Sequence, residues 1–143
     1  MTLELVPLGR LRVWAALEKG IQGDGPICRR TITIFQRVLW ETEHFTLETA
    51  SGSGAYTMGE EIAQIEVKVG FRDPEGTVVF LDYVARASMP LLTAGKAPAY
   101  MTGRVDVAES APKYAWLNRT QIAGKGIVTL APVTLDYEIF VLK

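Results

Sequence analysis

A single cysteine, Cys28, and a single histidine, His44, are all this chain has of two side chains prominent in metal binding and proton transfer. One cysteine excludes an internal disulfide and a multi-cysteine metal site. One histidine leaves no basis for a His-rich zinc or iron centre, so neither a metal nor another cofactor is expected. An excess of charge is also lacking: 15 Lys and Arg stand against 16 Asp and Glu, for a net charge of −1. That balance gives no cationic footprint for nucleic acid. No apolar run approaches the length needed to cross a bilayer. The start, Met1-Thr2-Leu3-Glu4, lacks the basic and apolar regions of a secretory leader. A cytoplasmic chain with no membrane and no nucleic-acid partner is the resulting expectation. The strong catalytic motifs are missing too: no dinucleotide fingerprint, no nucleophile elbow, no metal-spaced cluster. Gly23-Asp24-Gly25-Pro26 is turn chemistry, since no Lys-Ser/Thr pair or helical pattern follows it.

What the chain does have is strand-like alternation. Its 143 residues, 48% of them hydrophobic, suit one domain spanning 1–143. Strands are predicted at Leu3 to Val6, Leu11 to Ala16, Thr31 to Trp40 and Phe45 to Thr49, with Ser51-Gly52-Ser53-Gly54 breaking the chain. The clearest element is a central hairpin. Ile65, Val67, Val69 and Phe71 alternate with Glu66, Lys68 and Gly70, Asp73-Pro74-Glu75-Gly76 turns, and Thr77 to Arg86 returns. A loop from Ala87 to Pro98 has room for one helical turn near Leu91-Leu92. Tyr100 to Ala108 forms a further strand, and Arg119 to Leu130 with Val133 to Leu142 a last hairpin around Ala131-Pro132. Such a chain, with about nine strands and no useful amphipathic helix, must close or stack to hide its edges. Apolar residues on both faces of the central strands favour closure. The predicted fold is all-β, a closed antiparallel barrel of about eight to ten strands with room for side chains or one small ligand.

Between the last two predicted sheet segments lies Ala108-Glu109-Ser110-Ala111-Pro112-Lys113-Tyr114-Ala115-Trp116-Leu117-Asn118-Arg119. Pro112 can open a short helical turn, and Tyr114 and Trp116 are large rings not normally left on a loop tip. The stretch reads as a plug over one barrel end, with Trp116 and Leu117 inserted and the Asn118 amide tying loop backbone.

Candidate chemistry rests on polar residues at odds with their surroundings. Asp82 and Arg86 share a strand face with Phe80 and Val84, either as an outer ion pair or facing a ligand. Arg37 shares its predicted face with Thr33, Phe35 and Leu39; it either points outward with a packed stem or holds an anionic oxygen inside. His44, at a turn, is either exposed or a proton carrier. Cys28 reads as a small buried hydrophobe. Tyr56, Tyr83 and Tyr100 offer phenolic hydroxyls to a pocket or serve as rim aromatics. The candidate catalytic set is therefore Asp82, Arg37, Tyr56 and Arg86, with Phe35, Phe80, Tyr83, Tyr100 and His44 as ligand-binding residues.

Ala111-Pro112-Lys113-Tyr114-Ala115-Trp116-Leu117-Asn118 resembles the A-P-[RK]-Y-x-W-L-N hallmark of the family called domain of unknown function 3237. The opening Leu3 to Val13, Gly25-Pro26 with Arg29 or Arg30, and Glu75-Gly76 are similar to other parts of its pattern. The resemblance implies a single barrel of the lipocalin or allene-oxide-cyclase kind, often an oligomer, here a dimer or trimer. It also implies a structural role for Pro112, Tyr114, Trp116 and Asn118. The chain departs from the pattern at Ser53-Gly54-Ala55-Tyr56-Thr57, near Gln36-Arg37 and at Asp82-Tyr83-Val84, which points to a pocket of its own.

Three functions are weighed. The first is a cofactor-independent isomerase, cyclase or lyase acting on a small hydrophobic, aromatic or polyketide-like substrate. In it Asp82 or Tyr56 moves the proton, and Arg37 or Arg86 holds the developing oxyanion. The second is a non-catalytic barrel that binds or carries a small hydrophobic metabolite. Asp82 and Arg86 pointing outward around an apolar interior would favour the carrier. A barrel filled solid would be a structural or interaction protein.

Overall fold

In a computed structural model describing residues 1–130 and 132–143, eight antiparallel strands run in sequence order. They are β1 (Leu5–Asp24), β2 (Arg29–Glu41), β3 (Thr46–Met58), β4 (Ile62–Arg72), β5 (Val78–Ser88), β6 (Lys96–Val107), β7 (Ile122–Leu130) and β8 (Val133–Leu142). β8 pairs back onto β1, with Leu5 opposite Leu142 and Trp14 opposite Thr134, so the sheet closes and its ladder is continuous around the barrel. One short helix, α1 (Met89–Thr93), links β5 to β6, and a 3₁₀ helix, Ala115–Arg119, lies between β6 and β7. Among the described residues no helix is long and apolar enough to cross a membrane.

Two departures from the predicted strand pattern have local causes. The predicted strands near Val6 and at Leu11 to Ala16 belong to one strand that begins at Leu5 and has an irregularity at Gly9, whose positive φ of 77° suits glycine. The ladder to β8 shifts register there, between Pro7 and Arg10. Ser51-Gly52-Ser53-Gly54 does not break the chain; it is the middle of β3. Gly52 and Gly54 lie on the inner wall beneath Phe35. A methyl group at Gly54 would come within 2.8 Å of the Phe35 ring, so here glycine makes room for an aromatic instead of turning the backbone. The residue Ala131 of the last turn lies outside the described residues.

Inward positions follow strict alternation on β4 (Ala63, Ile65, Val67, Val69, Phe71), β5 (Val79, Leu81, Tyr83, Ala85, Ala87) and β8 (Val133, Leu135, Tyr137, Ile139, Val141), all buried. One end of the barrel is filled by aromatics. Trp40 donates its indole N–H to the Leu8 carbonyl at 3.1 Å and meets Phe45 edge-on at 5.2 Å. Phe45 in turn meets Tyr114 at 5.3 Å. Leu117 is fully buried and caps this end, whereas Trp116 is only half-buried; Tyr114 and Leu117 fill the place expected for Trp116 and Leu117. A 3₁₀ turn brings residues three apart to the same side, so Tyr114 and Leu117 point inward together and Trp116 is displaced. At the other end, α1 starts at Ser88, whose hydroxyl accepts from Leu91 N–H, and Leu92 turns inward.

Candidate functional site

The capping segment is tied down by two polar clamps. Tyr114 donates its hydroxyl to Asp73 Oδ2 at 2.9 Å, and Asp73 Oδ1 accepts the backbone N–H of Glu75 and of Thr77, each at 2.9 Å. Burial pushes the Asp73 carboxyl up, but the phenol, the two N–H groups and the nearby Lys113 charge outweigh it, and its pKa lies below the ordinary value. The Tyr114 phenol is pushed up to about 12 by burial first and then by donating to that carboxylate. The Asn118 amide pairs with both polar groups of Val107: it donates to the carbonyl at 2.7 Å and accepts the N–H at 2.9 Å. These bonds join the cap to the β4–β5 turn and the end of β6.

The charged residues singled out in the sequence lie on the outer wall. Phe80, Asp82, Val84 and Arg86 share one face of β5, as predicted, but Leu81, Tyr83 and Ala85 take the inner face. Asp82 Oδ2 sits 3.3 Å from Lys68 Nζ and 3.6 Å from Arg104, in an exposed cluster. Arg37 is turned outward by a β-bulge. Ala15 is opposite Phe35 and Trp14 opposite Arg37, so Gln36 is an extra residue that reverses the alternation of β2. Thr31, Thr33 and Phe35 point inward before it, Val38 and Trp40 after it, and Arg37 pairs with Glu48 at 3.1 Å over the Trp14 ring. Tyr100 and Phe80 are outside, more than half exposed, and His44 is exposed on its turn. None of Asp82, Arg37, Arg86, Phe80, Tyr100 or His44 can therefore meet a ligand inside the barrel.

Tyr56, Tyr83 and Phe35 do face the interior, and they are joined by Tyr137, which the sequence reading did not single out. Tyr83 and Tyr137 meet edge to face with ring centroids 5.7 Å apart. Tyr56 lies opposite Thr31, and its hydroxyl and the Phe35 ring both border Gly54. Exposure falls from 8% at Tyr56 to 3% at Tyr83 and 0% at Tyr137. Tyr56 is the least buried of the three. The hydroxyls of Tyr56, Tyr83 and Tyr137, together with Thr31 Oγ1, are buried and have no hydrogen-bond partner in the protein. The Tyr83 and Tyr137 hydroxyls approach each other closely enough that the contact raises the Tyr83 pKa and lowers that of Tyr137, yet it falls short of a full hydrogen bond and leaves both hydroxyls unsatisfied. Burial is the main cause that holds all three phenols well above the ordinary tyrosine pKa, and at Tyr83 the neighbouring phenols add to it. They are protonated donors at any physiological pH.

Around them the wall is built from small or apolar side chains, including Ala63, Ala85, Ala87, Ala99, Gly124 and Met101. Among the described residues, the buried non-aromatic polar side chains are Thr31, Thr33 and Asp73. Thr33 is satisfied by the Ala16 carbonyl at 2.7 Å, and Asp73 belongs to the capping clamp. The barrel interior thus carries hydroxyl groups and no charge. Tyr137 was legible: Val133, Leu135, Tyr137 and Ile139 alternate with Thr134, Asp136 and Glu138, a pattern that puts the ring inside.

No family model matches the sequence, and no curated protein matches it. Solved structures do. A conserved protein of unknown function, RPA1785 from Rhodopseudomonas palustris, superposes with a TM-score of 0.84 at 15% identity, over 100% of this chain and 99% of that one. A β-barrel-like protein, ABAYE2633 from Acinetobacter baumannii AYE, gives 0.76 at 19%, over 100% and 98%. An enzyme from Penicillium herquei gives 0.66 at 14%, over 99% and 94%. At these identities the likeness shows the barrel fold, which is compatible with either a ligand-binding or a catalytic protein.

Proposed function

We propose that the barrel binds a small, uncharged, largely apolar molecule whose carbonyl or hydroxyl oxygen accepts hydrogen bonds from Tyr56, Tyr83 and Tyr137. The observation that carries this reading is the set of three buried phenol hydroxyls without protein partners. A buried hydroxyl with no partner costs about 1–3 kcal/mol, and three in one place are a standing cost that an acceptor oxygen would relieve. The absence of charge among the inward side chains described selects against an ionised ligand, whose burial would be far more expensive.

Binding ranks ahead of catalysis because Asp82, Arg37 and Arg86, the groups an acid–base mechanism called for, stand outside. The Penicillium herquei enzyme favours keeping a second reading. In it the phenols polarise a substrate carbonyl for isomerase or cyclase chemistry, with Tyr56, the least buried of the three, as proton donor. Membership of the domain of unknown function 3237 family rests on the Pro112 to Asn118 motif and belongs to the same proposal.

Calorimetric titration with acetophenone and with its carbonyl-free counterpart ethylbenzene tests the binding reading. The ketone is expected to bind about tenfold tighter, the worth of one hydrogen bond in an apolar site. Tyr83→Phe with Tyr137→Phe should weaken that preference and adding Tyr56→Phe should erase it, while Asp82→Asn on the outer wall leaves it unchanged. Equal affinity for the two probes, or a preference that survives the triple Tyr→Phe change, would refute it.

A further inference from the structure

The outer wall over β5 to β8 carries a pattern that no interior function requires. Outward positions of antiparallel strands facing water are normally polar, yet here Pro98, Tyr100 and Ile127 are exposed, Tyr100 at 58% and Ile127 at 42%. The ladder places Arg86 opposite Tyr100, Tyr100 opposite Lys125 and Lys125 opposite Glu138, so one row across four strands reads Arg, Tyr, Lys, Glu. The neighbouring row places Pro98 opposite Ile127. Among the described residues Arg86, Lys125 and Glu138 form no ion pair. Pro98 and Tyr100 line two grooves in common. One, of about 660 Å³, also includes Lys125, Ile127 and Glu138; the other, of about 490 Å³, includes Arg86.

We propose that this wall is the contact between two copies of the chain, related by a two-fold axis that runs along the strands between β6 and β7. Such an axis reverses each row and leaves the order of rows unchanged. Arg86 then faces Glu138 of the second copy, Tyr100 faces Lys125, and Pro98 faces Ile127. The outcome is an ion pair at each rim, a cation on an aromatic ring inside it, and apolar contacts in the adjacent row. The Pro98–Tyr100 ridge of one copy enters the groove over β7 and β8 of the other, and the symmetry repeats the fit. A two-fold axis at right angles to the strands would set Arg86 against Arg86 and Glu138 against Glu138, which like-charge repulsion disfavours. Barrel curvature makes the two walls diverge away from the axis, and the long Arg86 and Glu138 side chains suit that rim. The patch is small beside the roughly 800 Å² per partner of a standard interface, so the dimer should be one that dissociates on dilution.

Sedimentation velocity over a dilution series, on the full chain, tests this. The wild type is expected to pass from dimer to monomer as concentration falls. Tyr100→Glu should leave a monomer that keeps its melting temperature, and Arg86→Glu or Glu138→Arg alone should weaken the dimer by about tenfold or more. Arg86→Glu combined with Glu138→Arg should restore it, because each reversed charge again meets its opposite. A wild type monomeric at every concentration would overturn the proposal. So would a dimer that survives Tyr100→Glu, or one lost instead on Ile32→Lys, which would move the contact to the exposed isoleucines of β1 and β2. Single charge variants that weaken the dimer with no recovery in the double variant would overturn the pairing and its axis.

Discussion

Replacing Tyr83 by phenylalanine is expected to stabilise the free protein, against the usual direction of a core substitution. The ring is 3% exposed, packs edge-on against Tyr137 at 5.7 Å, and has a hydroxyl without a protein partner. Phenylalanine keeps the ring and its contacts and removes only the oxygen, so the cavity term that dominates large-to-small changes is nearly absent. What is recovered is the desolvation cost of an unsatisfied hydroxyl, about 1 kcal/mol at the low end of the known range. For a chain of this length that corresponds to about 2–4 °C in Tm. Tyr137→Phe should behave alike, and the double change should be less than additive because the rings touch. Urea denaturation of ligand-free protein reads the effect as a rise in midpoint at unchanged slope. A loss of about 1 kcal/mol or more in either single variant would mean that the hydroxyl makes a native hydrogen bond. The phenols would then be a structural network, and the proposed binding role would lose its basis. Stability rising while ketone preference falls is the signature of a site held ready at a cost to the fold.

Two further outcomes concern the remaining tyrosine and pH. Tyr114→Phe removes the phenol donor from a carboxylate that keeps its two backbone donors, and should cost about 1.5–3 kcal/mol in equilibrium unfolding; unchanged stability would show that the clamp does not hold the cap. At alkaline pH the folded pKa of Tyr56, Tyr83, Tyr114 and Tyr137 all lie above the unfolded value of about 10. Below that value both states are protonated and the contribution is complete. Above it the unfolded chain has fewer bound protons than the folded one, so stability falls as pH rises, by about 1.4 kcal/mol per unit for each tyrosine. A urea midpoint that stays flat beyond that pH, or early phenolate absorbance from these rings in intact protein, would contradict the burial argument.

Much of the fold could be read from residue patterns, because a half-buried strand must alternate with period two. The central hairpin and β6 follow from that rule, and the need to hide sheet edges follows from an all-antiparallel chain. The site was less legible, for two reasons tied to particular residues. Charge at an apolar face drew attention to Asp82 and Arg86, but on a barrel wall whose outer face is also apolar the pattern alone does not say which side is inside. At Arg37 the single extra residue Gln36 moves the side chain to the other face, and a one-residue bulge leaves little mark in composition.

The sequence by itself determined that the chain is all-β, that its edges must be hidden by closure or stacking, and that its 109–119 region caps one end. Strand alternation and residue size suffice for the all-β reading and the cap, but closure over stacking, and Tyr114 in place of Trp116 as the inserted ring, came from the tertiary structure. Only the tertiary structure decided which faces point inward, that three phenols from β3, β5 and β8 share the interior without partners, and that an Arg–Tyr–Lys–Glu row crosses four strands outside. The physical reason is that register and barrel closure bring together residues far apart in the chain. Tyr56 and Tyr137 become neighbours of Tyr83 through hydrogen-bond ladders, which no pattern along a single strand encodes.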